Sequence, residues 1–185
     1  EVVAYAETSM SRRKFLLHYF GEEFDSETGE GADMDDNVRN PKTKIEAQDQ
    51  VKLLLEIVRD TKYLYKSKEI CFTLIGRVNA MIKAYRTDTQ PFFGKGNKFE
   101  ERYWMALIRQ VLVAGLLTKD IETYGILKVS DKGLEFIKTP VSFMMSEDHE
   151  YNEVEDDAIV TAAKSSGTAD EALMAMLRDL RKKVA

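Results

Sequence analysis

Lys95, Lys98, Arg102 and Arg109 are the side chains in this 185-residue sequence whose type and placement best suit them to chemistry. The lysines lie in the loop Thr87 to Phe99, TDTQPFFGKGNKF, and the arginines lie along the helix predicted to follow it. Cations at the mouth of a helix, next to its free backbone donors and positive dipole, make salt-dependent, sequence-tolerant contacts to phosphate. Lysine and arginine on an exposed helix face also serve simply to solvate it, so a plainer reading stands beside this one. Arg77, in LIGRVN, belongs to the same group, although a structural ion pair accounts for it equally well. Lys119 and Lys128 flank Thr123-Tyr124-Gly125, which places an aromatic residue at a predicted turn. An exposed ring there can stack on a nucleobase; otherwise Tyr124 is a strand residue beside the turn.

Other chemistries find no residues. There is no G-x-x-x-x-G-K-[ST] loop, and Gly94-Lys95-Gly96 is too short and wrongly followed to act as one. The single cysteine, Cys71, rules out an internal disulfide and a multi-cysteine zinc site; within Ile70-Cys71-Phe72 it is expected to be a buried structural thiol. His18 falls in a predicted helix and His149 in an acidic stretch, neither with a nucleophile or ligand partner at a meaningful spacing. No catalytic residue is expected. No apolar run reaches the roughly 20 residues a bilayer requires, and EVVAYAETSMSRRK lacks the succession of a signal peptide. A soluble, cytoplasmic protein is expected, nucleoid-associated in a bacterial cell, with no membrane partner.

The net charge of −5 hides an uneven distribution. Residues 1–49 carry 6 basic and 12 acidic side chains, and residues 140–170 carry 1 and 8, whereas residues 50–139 carry 16 and 10. The basic segment is also the one with clear globular patterning, as a phosphate-binding module requires.

Several elements are expected to position these residues. Apolar spacing predicts a helix over 5–21 with Phe15, Leu16, Tyr19 and Phe20 on its face, stopped at Gly21. Residues 22–40, rich in Asp, Glu and Gly, read as a solvated loop or poorly ordered arm. Val51, Leu54, Leu55 and Val58 predict a core helix over 46–60. A second helical region covers 67–85, turned near Gly76, with Phe72, Ile75, Val78 and Ile82 as core candidates. The long helix over 99–114 presents Tyr103, Leu107, Ile108, Val111 and Leu112, with Trp104 expected to be buried. Stretches 116–122 and 126–130 predict a hairpin whose turn uses Gly125. Residues 140–170 read as an acidic linker, and Leu173, Met176, Leu177 and Leu180 predict a further helix from about 170.

Five segments in order carry a family resemblance: SRRKFLLHYFGE (11–22), GEGADMDDN (29–37), LIGRVN (74–79), FGKGNKFEERYWMALIRQVLVAGLL (93–117) and EALMAMLRDLRKKVA (171–185). Together they resemble the C-terminal half of RecQ-family DNA helicases. The resemblance implies a mainly α fold with a small β-hairpin wing: a winged helix preceded by a helical remnant of a zinc-binding subdomain. It divides the chain into a degenerate zinc-binding-like subdomain (1–45), the winged helix (46–140), the acidic linker (141–169) and the truncated first helix of an HRDC-like domain (170–185).

The function so implied is the DNA-binding region of an ATP-dependent 3′–5′ helicase of repair and recombination. It would engage duplex, forked or branched DNA, with the hairpin as a strand-separating wedge and Tyr124 at its tip. ATP and Mg would belong to a motor outside this sequence, and the fragment alone is expected to hydrolyse nothing. Family members bind zinc through four cysteines, but the corresponding positions read Ser11, Gly29, Ala32 and Asp35, so zinc is not expected. Asp33, Asp35 and Asp36 can in principle attract a hard cation, although an acidic loop is more often simply solvated. A winged-helix protein-interaction or transcription-regulatory module is the competing reading. It would need base-reading side chains on the long helix, which offers only Arg102, Arg109 and Gln110.

Overall fold

The first predicted helix is divided in two. In the computed structural model, which describes residues 2–120, 122–146 and 148, helix α1 spans Val2–Glu7 and helix α2 spans Arg12–Tyr19. Ser11 caps α2, its hydroxyl accepting a hydrogen bond from the Lys14 amide. Of the predicted apolar face only Phe15 is buried, and Leu16, Tyr19 and Phe20 are exposed. Residues 22–40, read from composition as a solvated loop or poorly ordered arm, are a largely exposed loop that also holds two short helical turns. The Asp25 carboxylate accepts from the Glu27 and Thr28 amides, a 3-10 turn covers Ala32–Met34, and Asp35 caps helix α3, Asp36–Arg39. Short polar side chains here fold the backbone by bonding to it, and hydrophobic periodicity cannot register that.

Strand β1, Lys44–Glu46, leads into helix α4, Gln48–Asp60, where Val51, Leu54, Leu55 and Val58 are fully buried as predicted. Helices α5, Ser67–Ile75, and α6, Ala80–Ala84, divide the helical region expected over 67–85. The break falls at Gly76, whose φ of +81° suits a residue without Cβ. Phe72 and Ile82 enter the core and Ile75 is half-buried, but Val78 is exposed and leaves the predicted core set.

Helix α7, Glu101–Val113, brings Trp104, Leu107, Ile108 and Val111 into that core. Strands β2, Leu117–Asp120, and β3, Ile126–Val129, form the expected antiparallel hairpin, with Leu117 opposite Val129. Helix α8, Asp131–Lys138, and strand β4, Met144–Ser146, follow. β4 pairs antiparallel with β1, Ile45 opposite Met145, and buries Met145 completely.

Helix, helix, loop, helix and hairpin make this a mainly helical, winged-helix-like fold, with two small sheets among the described residues. The β1–β4 pair brings residues 144–146, at the start of the acidic stretch, against residues 44–46. No helix among the described residues is long and apolar enough to cross a membrane. Of the acidic stretch, Glu147 and residues 149–170, His149 among them, lie outside the described residues, as does the helix expected from 170.

Candidate nucleic-acid interface

Two glycines fix the loop that carries Lys95 and Lys98. The Gly94 and Gly96 amides donate to the Thr73 and Leu74 carbonyls, both at 2.8 Å, and so satisfy the free end of α5. Trp104, fully buried, donates its indole N–H to the Gly96 carbonyl at 2.9 Å. A Cβ on Gly96 would stand 2.6 Å from the Trp104 ring, so no other residue fits there without displacing the indole. The loop is thereby held between α5 and α7, and Lys95, Lys98 and Arg102 are exposed around the start of α7. The geometry suits a run of phosphates meeting a helix N-terminus.

The hairpin tip is organised by Asp120. Its carboxylate accepts from the Glu122 amide at 3.0 Å and the Thr123 amide at 3.4 Å, and binds Lys128 Nζ at 2.5 Å. The Asp120 carbonyl accepts from the Gly125 amide at 2.8 Å. The Lys128 hydrogen bond, ahead of the other effects, holds the Asp120 carboxyl below its ordinary value, and the same contact raises Lys128. Within this turn Tyr124 takes φ +58°, a left-handed conformation uncommon for a residue with Cβ, and its side chain is 86% exposed. Lys119 is exposed on β2, while Lys128 is committed to Asp120.

Arg109 faces the other way. Its side chain, 14% exposed, binds the carboxylate of Asp148, itself 3% exposed, with Glu7 of α1 at 4.0 Å. The sequence grouped Arg109 with the phosphate contacts because periodicity put it off the apolar face; the carboxylates that enclose it come from distant parts of the chain. Gln110 is similarly occupied: its amide exchanges two hydrogen bonds with the backbone of Ser146, at 2.6 and 3.0 Å. Arg77 pairs with Glu101 at 3.5 Å and lies over the Phe72 ring, 4.9 Å from its centroid. Burial pushes the Cys71 thiol well above its ordinary range, in keeping with a structural role. His18 is exposed.

The four positions where the resemblance implies zinc ligands do not fit that ion. Gly29 and Ala32 offer no donor, and a Cβ on Gly29 would stand 2.4 Å from the Asp25 carbonyl and 2.5 Å from the Phe24 ring. Ser11 and Asp35 are bonded to each other at 2.9 Å; Asp35 also accepts from the amides of Arg13, at 3.1 Å, and Asn37, at 3.0 Å. No group of three or more His, Cys, Asp or Glu side chains that could hold a metal occurs among the described residues, and these include Asp33, Asp35 and Asp36.

Against this geometry stands one comparison with known proteins. The family model described as RQC domain matches residues 41–154, more than half of the chain. The match begins just before β1 and runs past β4.

Proposed function

Because this chain belongs to the RQC-domain family, the C-terminal region of RecQ-type helicases, we propose that it holds duplex or forked DNA and parts the strands at the junction with its hairpin. The parent enzyme in this reading is an ATP-dependent 3′–5′ helicase of DNA repair and recombination. ATP and Mg are bound by its motor, and this stretch, without a phosphate-cradling loop, hydrolyses nothing alone. Lys95, Lys98 and Arg102 grip the phosphates, and Arg77 stands beside them at the end of α5.

The observation that carries the wedge is Tyr124, an 86% exposed ring on a turn braced by Asp120. Stacking a base on such a ring is worth about 1–3 kcal/mol, and one step of duplex stacking about 1.4 kcal/mol. One ring therefore suffices to bias the opening of a terminal pair. The competing regulatory reading loses two of its three base-reading side chains, since Arg109 and Gln110 are spent inside the fold.

The test uses a fork carrying 2-aminopurine at the last pair, together with anisotropy titrations against forked, duplex and single-stranded DNA at two salt concentrations. Salt-sensitive binding is expected, with fluorescence rising on binding and Tyr124→Ala abolishing the rise while retaining most of the affinity. Absence of binding at low salt would favour the protein-interaction reading.

A further inference from the structure

We propose that Lys62, Lys66 and Lys68, with Tyr124, form a binding track for one unpaired DNA strand along the edge of the winged helix. The proposal rests on the wedge reading and adds to it the path of a separated strand.

The segment between α4 and α5 is bent by two successive non-glycine residues in the left-handed region, Lys62 at φ +54° and Tyr63 at φ +58°. Such backbone persists only where the surroundings over-determine it. Here the Lys62 amide donates to the Arg59 carbonyl and the Leu127 amide of β3 donates to the Tyr65 carbonyl, both at 3.0 Å. Tyr65 itself is 1% exposed and hydrogen-bonds Thr87. The bend is thus pinned to the base of the hairpin, and Lys62, Lys66 and Lys68 are left exposed.

Two of the three lysines lie against rings, one exposed and one in the core. Lys66 Nζ lies 5.9 Å from the centroid of the Tyr124 ring, and Lys68 Nζ lies 5.6 Å from that of Phe72. The Arg77 guanidinium approaches the same Phe72 ring at 4.9 Å. At 1.5 Å per residue α5 extends this array by about 13 Å. Two nearby carboxylates are already engaged, Asp60 by Arg59 at 2.9 Å and Asp120 by Lys128 at 2.5 Å. Lys62, Lys66 and Lys68 make no ion pair among the described residues.

A duplex presents phosphates but keeps its base faces stacked inside. Ammonium groups next to an exposed ring match a strand that offers both phosphates and free base faces. Since Lys66 reaches the ring proposed to hold the junction, a strand leaving that junction meets the lysines next.

The test compares a blunt duplex with the same duplex bearing a 5′ or a 3′ single-stranded overhang, for the unmodified chain and a Lys62→Gln/Lys66→Gln/Lys68→Gln variant. The unmodified chain is expected to prefer one overhang over the blunt duplex, and the variant to lose that preference with blunt-duplex affinity unchanged. For the preferred overhang, the slope of log K against log salt should shrink by about 2, three contacts at roughly 0.7 each. Equal loss on blunt and overhanging DNA, no loss on either, or no overhang preference at the outset overturns the track. Failure of the wedge alone reads differently: Tyr124→Ala leaves junction opening unchanged while the lysine variant still loses the overhang preference.

Discussion

Replacing Arg109 by alanine decides between a phosphate contact and an internal counter-charge. The Arg109 guanidinium binds Asp148, whose side chain is 3% exposed, and approaches Glu7 at 4.0 Å. Truncation strands the Asp148 carboxylate in a site built for its partner, and removing one member of a buried pair costs about 3–5 kcal/mol. Arg109 keeps 14% exposure, so water can partly reach the vacated site, and we expect the low end, about 3 kcal/mol. With a urea dependence of about 2 kcal/mol per molar, the unfolding midpoint should fall by about 1.5 M. Trp104, the only tryptophan and fully buried, reports the transition through its fluorescence. Arg109→Met with Asp148→Leu, which removes both charges, should recover most of the loss, because well-packed apolar replacements of buried ion pairs are often neutral. A phosphate contact gives the opposite pattern: an unchanged midpoint, weaker DNA binding and a salt slope lower by about 1. That outcome would refute the internal assignment.

Two further expectations follow from side chains that brace the backbone. Asp35→Ala should destabilise the N-terminal segment by about 2–4 kcal/mol, since the Ser11 hydroxyl and the Arg13 and Asn37 amides lose their acceptor. Limited proteolysis before β1 would report it, and wild-type unfolding in EDTA should superimpose on unfolding with added zinc; a zinc-dependent midpoint would contradict the hydrogen-bonded replacement. At the hairpin, Asp120 is held below the ordinary carboxylate range chiefly by Lys128. A depressed acid stabilises the fold above its unfolded pKa of about 3.9 and loses that contribution as pH falls through its folded value. Amide shifts of Glu122 and Thr123 should therefore be flat from pH 8 to about 5 and move below about 4. Asp120→Asn should remove the acid step, and a step that persists in this variant would assign it to another group.

The core was legible because its information is local and periodic. Val51, Leu54, Leu55 and Val58 repeat at helical spacing, and all four are buried. The hairpin was legible for a similar reason, with Gly125 marking the turn between two β-compatible runs. What periodicity missed is held by polar side chains or by distant pairing. Ser11 starts α2 through a single hydroxyl, and Asp25 and Asp35 fold an acidic stretch that composition reads as solvated. β1 and β4 are three residues each and about a hundred residues apart, and neither predicts a strand until the other is present. Glu46 reinforces the pairing, accepting from the Ser142 hydroxyl and from the Phe143 amide at 2.8 Å, contacts that in that order draw its carboxyl down.

The candidate site divides along the same line, because a sequence displays cations but not their counter-ions. Lys95, Lys98, Arg102, Arg109 and Lys128 look alike in a charge count, yet Asp148 closes over one of them and Asp120 holds another. An acidic stretch can therefore be read as a linker only once its residues are known not to pair backwards; Asp148, thirty-nine positions after Arg109, does pair. The converse holds for Lys66 and Lys68: Tyr65 adjoins Lys66 in the sequence but is buried, and the lysines acquire meaning only when β3 docks on Tyr65 and brings the exposed Tyr124 within reach. A surface for a flexible polymer is assembled from such neighbours across the fold, so its residues should respond as a group in a salt titration. Substituted singly, each should move the slope by less than one.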